Sequence, residues 1–166
     1  MAIIQGRQAA SLARGLLVGS LVLMSSAVAQ AQANSTLGTW ALNLAKSKFN
    51  PGPRPMSETR VYEMFGAGGV KATFTRIDDK GNTTTITYSA NYDGTDYKFV
   101  GSPDADTITL KLLDANTTEA TLKMVGKVMQ TTKAVVSADG KTRTLTTSGV
   151  NAKGQKVNNV LVFDRQ

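Results

Sequence analysis

The acidic side chains are densest in one stretch, YDGTDYKFVGSPDAD, where Asp93, Asp96, Asp104 and Asp106 spread across two turns. Two carboxylates brought together can exchange protons with a substrate or hold Ca²⁺. These four also stand where turns recruit aspartate, beside Gly94 and after Pro103, and there the side chain bonds its own backbone. Their spacing departs from an EF-hand loop. Turn chemistry is therefore the expectation, and neither a metal site nor a catalytic residue is assigned. The chain contains no His and no Cys. That excludes a Ser-His-Asp triad, a thiolate nucleophile and a His/Cys zinc site, and with them most enzyme classes. No cofactor is expected.

A better constellation is Arg76 with Tyr88 and Tyr92. Side chains alternate across a strand, so Val70, Ala72, Phe74 and Arg76 share one face of a strand at 70–77. Ile86, Tyr88, Ala90 and Tyr92 share one face of the next, at 84–92. Turned into a barrel, a guanidinium on such a face demands a charged or hydrogen-bonding partner. No acid stands in phase on either strand, so a ligand carboxylate would serve, with the tyrosines against its apolar body. The competing reading lets Arg76 reach solvent from a strand end while the tyrosines fill core. Met56, Met64, Met124 and Met129 either line an adaptable pocket or fill gaps.

The elements that must position these residues are strands. Thr occurs 21 times, no segment sustains apolar spacing of three and four, and short alternating runs are divided by Gly, Asp and Asn turns. The spacing predicts ten strands at 38–44, 59–65, 70–77, 84–92, 97–100, 107–113, 119–125, 127–136, 143–150 and 157–163. Gly66-Ala67-Gly68-Gly69 links the second and third as a hairpin, and Asp93-Gly94 signals another turn. The three prolines at 51, 53 and 55 force an extended crossing after the first strand. Such a meander must pack on itself or close, and closure removes exposed edges. An all-β, antiparallel up-and-down meander closing into a barrel of eight to ten strands is expected; a sandwich or an open curved sheet is the competitor.

The N-terminus reads as an export signal. Arg7 and Arg14 precede a short apolar run at 16–24, and Ala31-Gln32-Ala33 fits a cleavage site. Residues 1–33 are thus expected to be a signal peptide cut after Ala33, leaving 34–166 as a single barrel domain. The apolar run falls below the roughly 20 residues that span a bilayer, so no stable membrane anchor is expected. Residues 1–33 hold two arginines and no acid, so the formal charge falls from +7 to +5 in the mature chain. Lys and Arg are scattered rather than clustered, and nucleic acid is not an expected partner. A periplasmic or secreted monomer is expected. Without Cys, it must rely on its core instead of disulfides.

The stretch GTWALNL holds the sole tryptophan and opens the first strand, with Trp40, Leu42 and Leu44 on one face. A Gly-x-Trp opening of a small all-β chain resembles that of lipocalins, and of fatty-acid-binding proteins. From GTWALNLAKSKFNPGP through YDGTDYKFVGSPDADT to NNVLVFDRQ, the chain resembles a family of small, secreted, lipocalin-like (calycin-type) bacterial proteins to which no activity attaches. The lipocalin resemblance implies structural roles for Gly38 and Trp40, with Trp40 packed beside an arginine from a late strand. Arg165 is the best-placed candidate for that partner and Arg143 its rival. It also implies a non-catalytic carrier of a small apolar or amphipathic ligand. The alternative is a cell-envelope structural or protein-interaction module with a filled barrel.

Overall fold

The structure is a computed structural model that describes residues 35–166. The signal-peptide reading of residues 1–33 lies outside the described residues. The described residues form one antiparallel sheet of ten strands, β1 Gly38–Leu42, β2 Ser57–Phe65, β3 Gly69–Ile77, β4 Thr83–Ala90, β5 Asp93–Lys98, β6 Thr107–Asp114, β7 Thr117–Met124, β8 Lys127–Val136, β9 Thr142–Val150 and β10 Lys156–Arg165. Their order in space is β4-β3-β2-β1-β10-β9-β8-β7-β6-β5. Paired strands are consecutive in sequence except for β1 and β10, whose pairing places Trp40 opposite Arg165. The sheet curls until its outer strands meet, giving a nearly closed up-and-down barrel.

The seam between β4 and β5 carries no continuous ladder. It is held by reciprocal backbone bonds between Thr87 and Val100, both 2.9 Å. Tyr88 packs on Phe99 across it, ring centroids 5.9 Å apart. Gly101 lets the chain lie flat there: its φ is +89°, and a Cβ at this position would stand 2.1 Å from the Thr85 carbonyl oxygen. No residue with a side chain fits so close an approach.

Two sequence expectations shift locally. The first strand stops at Leu42, because Asn43 accepts the Lys46 N–H through its side chain and turns the chain. Leu44 consequently lies in the turn and does not join the core face. Asp93 and Gly94 belong to β5 itself, which bulges between Asp93 and Asp96 against β6. The Asp93 carboxylate fixes that bulge by accepting from the Thr95 amide and the Tyr97 hydroxyl.

The inward faces supply one continuous core, with Trp40 and Phe163 at zero exposure. Register aligns Trp40 with Arg60, Arg60 with Phe74 and Phe74 with Ile86, a row across four strands on the barrel's inner face. Burial of an aromatic such as Trp40 contributes on the order of 3–5 kcal/mol relative to Ala. The strands thus alternate in-facing apolar and out-facing polar residues as a barrel requires.

Candidate functional site

One end of the barrel is a floor. There β1 begins, β10 ends, and Arg165 stacks its guanidinium 4.2 Å from the Trp40 ring. Arg165 spends its donors on the backbone, giving bonds to the carbonyls of Gly140 (2.6 Å), Leu37 (2.5 Å) and Ser35 (2.7 Å). Trp40 Nε1–H donates to the Thr36 carbonyl at 2.9 Å. Gly38, at φ +114°, leaves room for this arrangement, since a Cβ would stand 2.9 Å from Arg165 Nη1. Of the two arginines weighed as partner to Trp40, it is Arg165 that lies over the indole. Arg143 instead covers Tyr62 at 4.3 Å.

Above the floor is a cavity of about 330 Å³. Its opposite rim is made by connectors at the other end of the barrel, including Pro51, Pro53, Asp104 and Asn151. That crossing bends at Asn50 and Pro51 and forms no helix, so none covers the rim among the described residues. The volume lies at the lower end of small-molecule pockets, enough for one compact ligand.

Arg76 on β3 and Tyr88 on β4 border this cavity, as does Tyr92, which lies in the bend after β4 and not on the strand expected to carry it. The structure gives Arg76 a partner that its own strand lacks. Glu58, opposite it across the β2–β3 hairpin, is buried and accepts from Arg76 Nε at 2.6 Å and from Arg60 Nε at 2.6 Å. Arg76 sits at the mouth with its side chain about half exposed, whereas Glu58 is shielded. Arg60 also lies 4.2 Å from the Phe74 ring and 4.7 Å from the Phe163 ring. The demand for a carboxylate at Arg76 is thus met from within the protein. Burial pushes the Glu58 carboxyl up, but the Arg60 and Arg76 charges outweigh it and hold the pKa below its ordinary value. Burial likewise opposes the Arg60 charge, and the Glu58 carboxylate overrides it.

One wall of the cavity is aromatic, and the wall facing it on β7 to β9 mixes Ala120, Leu122 and Ala134 with Thr118, Gln130, Thr132 and Thr147. A chain of rings, Tyr62 to Phe74 to Tyr88 to Phe99, runs across β2, β3, β4 and the seam with centroids 5.7 to 5.9 Å apart. Burial pushes the Tyr88 and Tyr92 phenols up, so both remain neutral through the physiological range. Among the described residues no methionine lines the cavity, and Met56 and Met64 face solvent.

Sequence reasoning missed Glu58 and Arg60, and weighed Arg143 only as a partner for Trp40. Arg143 is the second residue of β9, opposite Val136 and Phe163, and so lies at the floor end. It is 6% exposed, borders the cavity, and its Nε and Nη1 have no hydrogen-bond partner. The four clustered aspartates do not converge. Asp96 takes Thr109 and Lys123, Asp104 takes the Ala152 amide, and Asp106 takes the Val125 amide.

No protein-family model matches the chain, and no curated protein sequence is similar to it. Among solved structures, the zebrafish ileal bile acid-binding protein, in a complex with cholic acid, is similar with a TM-score of 0.48 and 10% identity. The match covers 80% of this chain and 99% of that one.

Proposed function

We propose that the chain is an exported, non-catalytic barrel that carries one small apolar or amphipathic molecule in its interior. The observation that carries this reading is the cavity of about 330 Å³, aromatic along one wall and bordered at one end by the 51–53 connector. Tyr88 and Tyr92 would lie against the ligand body, while Arg76, already paired with Glu58, would serve the rim. Enclosure favours binding because a concave apolar site removes most of a ligand's surface from water. The missing thiol and imidazole chemistry supports a carrier over an enzyme.

Native mass spectrometry of the purified protein, with and without the neutral dye N-phenyl-1-naphthylamine, tests the reading. A one-to-one complex is expected, whereas a protein that takes up neither the dye nor any host molecule is no carrier. Intact mass of exported material tests the route, with a mature chain starting at Asn34 expected.

The second reading, a cell-envelope module working through its outer surface, is favoured by Val125. This β-branched residue is held at φ 51° on the β7–β8 turn with 88% of its surface exposed. Such backbone is unfavourable for valine, and strain of this kind gathers at functional positions. An empty spectrum in the dye experiment would move the function to that surface.

A further inference from the structure

We infer that the interior is an anion site, and that its ligand enters head first with the charged group anchored on Arg143 at the floor; this rests on the carrier reading above. Arginines 60, 76 and 143 border the cavity. Arg60 and Arg76 share Glu58. Arg143 has no carboxylate within ion-pairing distance among the described residues, and two of its donors reach nothing. Its guanidinium lies over the Tyr62 ring, and its charge also acts on the Tyr88 and Tyr92 phenols. A buried donor left unpaired costs about 1–3 kcal/mol, and more when it carries charge. A planar fork of N–H groups matches the two oxygens of a carboxylate or the edge of a sulfonate.

Position then sets orientation. Arg143 stands where β8 ends and β9 begins, the end closed by Trp40 and Arg165. The open rim is formed by connectors at the opposite ends of the strands. An anion reaching Arg143 must therefore pass the Glu58–Arg76 pair and the aromatic chain, leaving its apolar body beside Phe74, Tyr88 and Phe99. Of the two acids that border the cavity, Glu58 is balanced by Arg60 and Arg76, and Asp104 lies on the open rim, where it accepts from the Ala152 amide. A bulky dianion is disfavoured, because one guanidinium neutralises one charge in so small a space.

The probes are decanoate and 1-decanol, one chain length with and without charge, each titrated as a competitor of N-phenyl-1-naphthylamine. Wild type, Arg143→Met, Arg143→Lys and Arg76→Met are compared. In wild type, decanoate is expected to displace the dye at a concentration roughly 10-fold or more below that of 1-decanol, the ratio for a charge-assisted bond of about 1.5–3 kcal/mol. Arg143→Met should abolish that preference while leaving 1-decanol unchanged, Arg143→Lys should keep part of it, and Arg76→Met should keep most. Equal displacement by the two compounds in wild type overturns the anion site yet leaves the carrier intact. A preference that survives in Arg143→Met overturns Arg143 as the anchor. A wild type that binds no dye and neither competitor ends both readings. Should Arg143→Met fail to fold, the wild-type comparison and Arg143→Lys still decide.

Discussion

Two arginines at the floor of the barrel, Arg165 and Arg143, differ in one respect that separates architecture from recognition. Each stacks on an aromatic ring at a little over 4 Å. Arg165 then gives bonds to the carbonyls of Gly140, Leu37 and Ser35 and so ties β10, the β8–β9 turn and the entry to β1 into one corner. Arg143 is the more deeply buried, yet its Nε and Nη1 reach no acceptor. A charge with satisfied donors holds structure together, whereas a charge with idle donors facing a cavity is poised for something that enters it. Stacking on a ring cannot tell the two roles apart; the fate of the donors can.

The sharpest way to break this comparison is to remove the corner that Arg165 serves. Trp40→Ala is expected to destabilise the fold by about 3–5 kcal/mol, the range for a large buried aromatic. Chemical denaturation followed by circular dichroism measures it, and a change under roughly 1 kcal/mol would show that the corner is dispensable. Arg165→Met comes next, at about 2–3 kcal/mol, because three carbonyls lose a charged donor together and losses within one network do not add fully.

The mouth supplies a test of a different kind. Glu58 is shielded and its pKa is depressed by Arg60 and Arg76 against the upward push of burial. A depressed acid contributes stability that is fully present above its ordinary value of 4.5 and is lost as pH falls through its lower folded-state value. Urea midpoints should therefore hold steady from neutral pH down to that region and then decline. Glu58→Gln should start lower and show a shallower acid decline. An identical acid limb in the two proteins would mean that the Glu58 pair is not what links the mouth to pH.

Much of the frame was legible because strand periodicity and turn residues are local signals. Nine of the ten strands follow from alternation and from Gly and Asp punctuation, whereas β5 runs through Asp93 and Gly94 where a turn was expected; Trp40 is core because nothing polar shares its phase. The Glu58 pair was lost to a boundary: with the second strand begun at residue 59, its acid fell outside the phase count. Folding the chain about Ala67 would have placed residue 58 opposite Arg76, as the β2–β3 register does. Arg143 was hidden for a deeper reason. Its phase with Leu145 marks it as inward, but whether an inward arginine is satisfied depends on partners distant in sequence, and no pattern along one strand carries that information.

The smallest expected effect is also the one with the opposite sign. Arg143→Met removes a buried guanidinium whose Nε and Nη1 have no partner and substitutes an unbranched apolar side chain that can follow the same course. The protein loses the contact with Tyr62, worth about 0.5–2 kcal/mol. It gains relief from the desolvation of unpaired donors, about 1–3 kcal/mol and larger for a charged group. The second effect should win, because the first is compensated in part by methionine packing on the same ring. The ligand-free variant is therefore expected to be more stable than wild type by about 1 kcal/mol, whereas Arg165→Met is less stable. Denaturant midpoints of the two variants, recorded without added ligand, provide the check. Should Arg143→Met be destabilised as much as Arg165→Met, the idle donors are doing structural work in the closed barrel, and the contrast between the two arginines collapses.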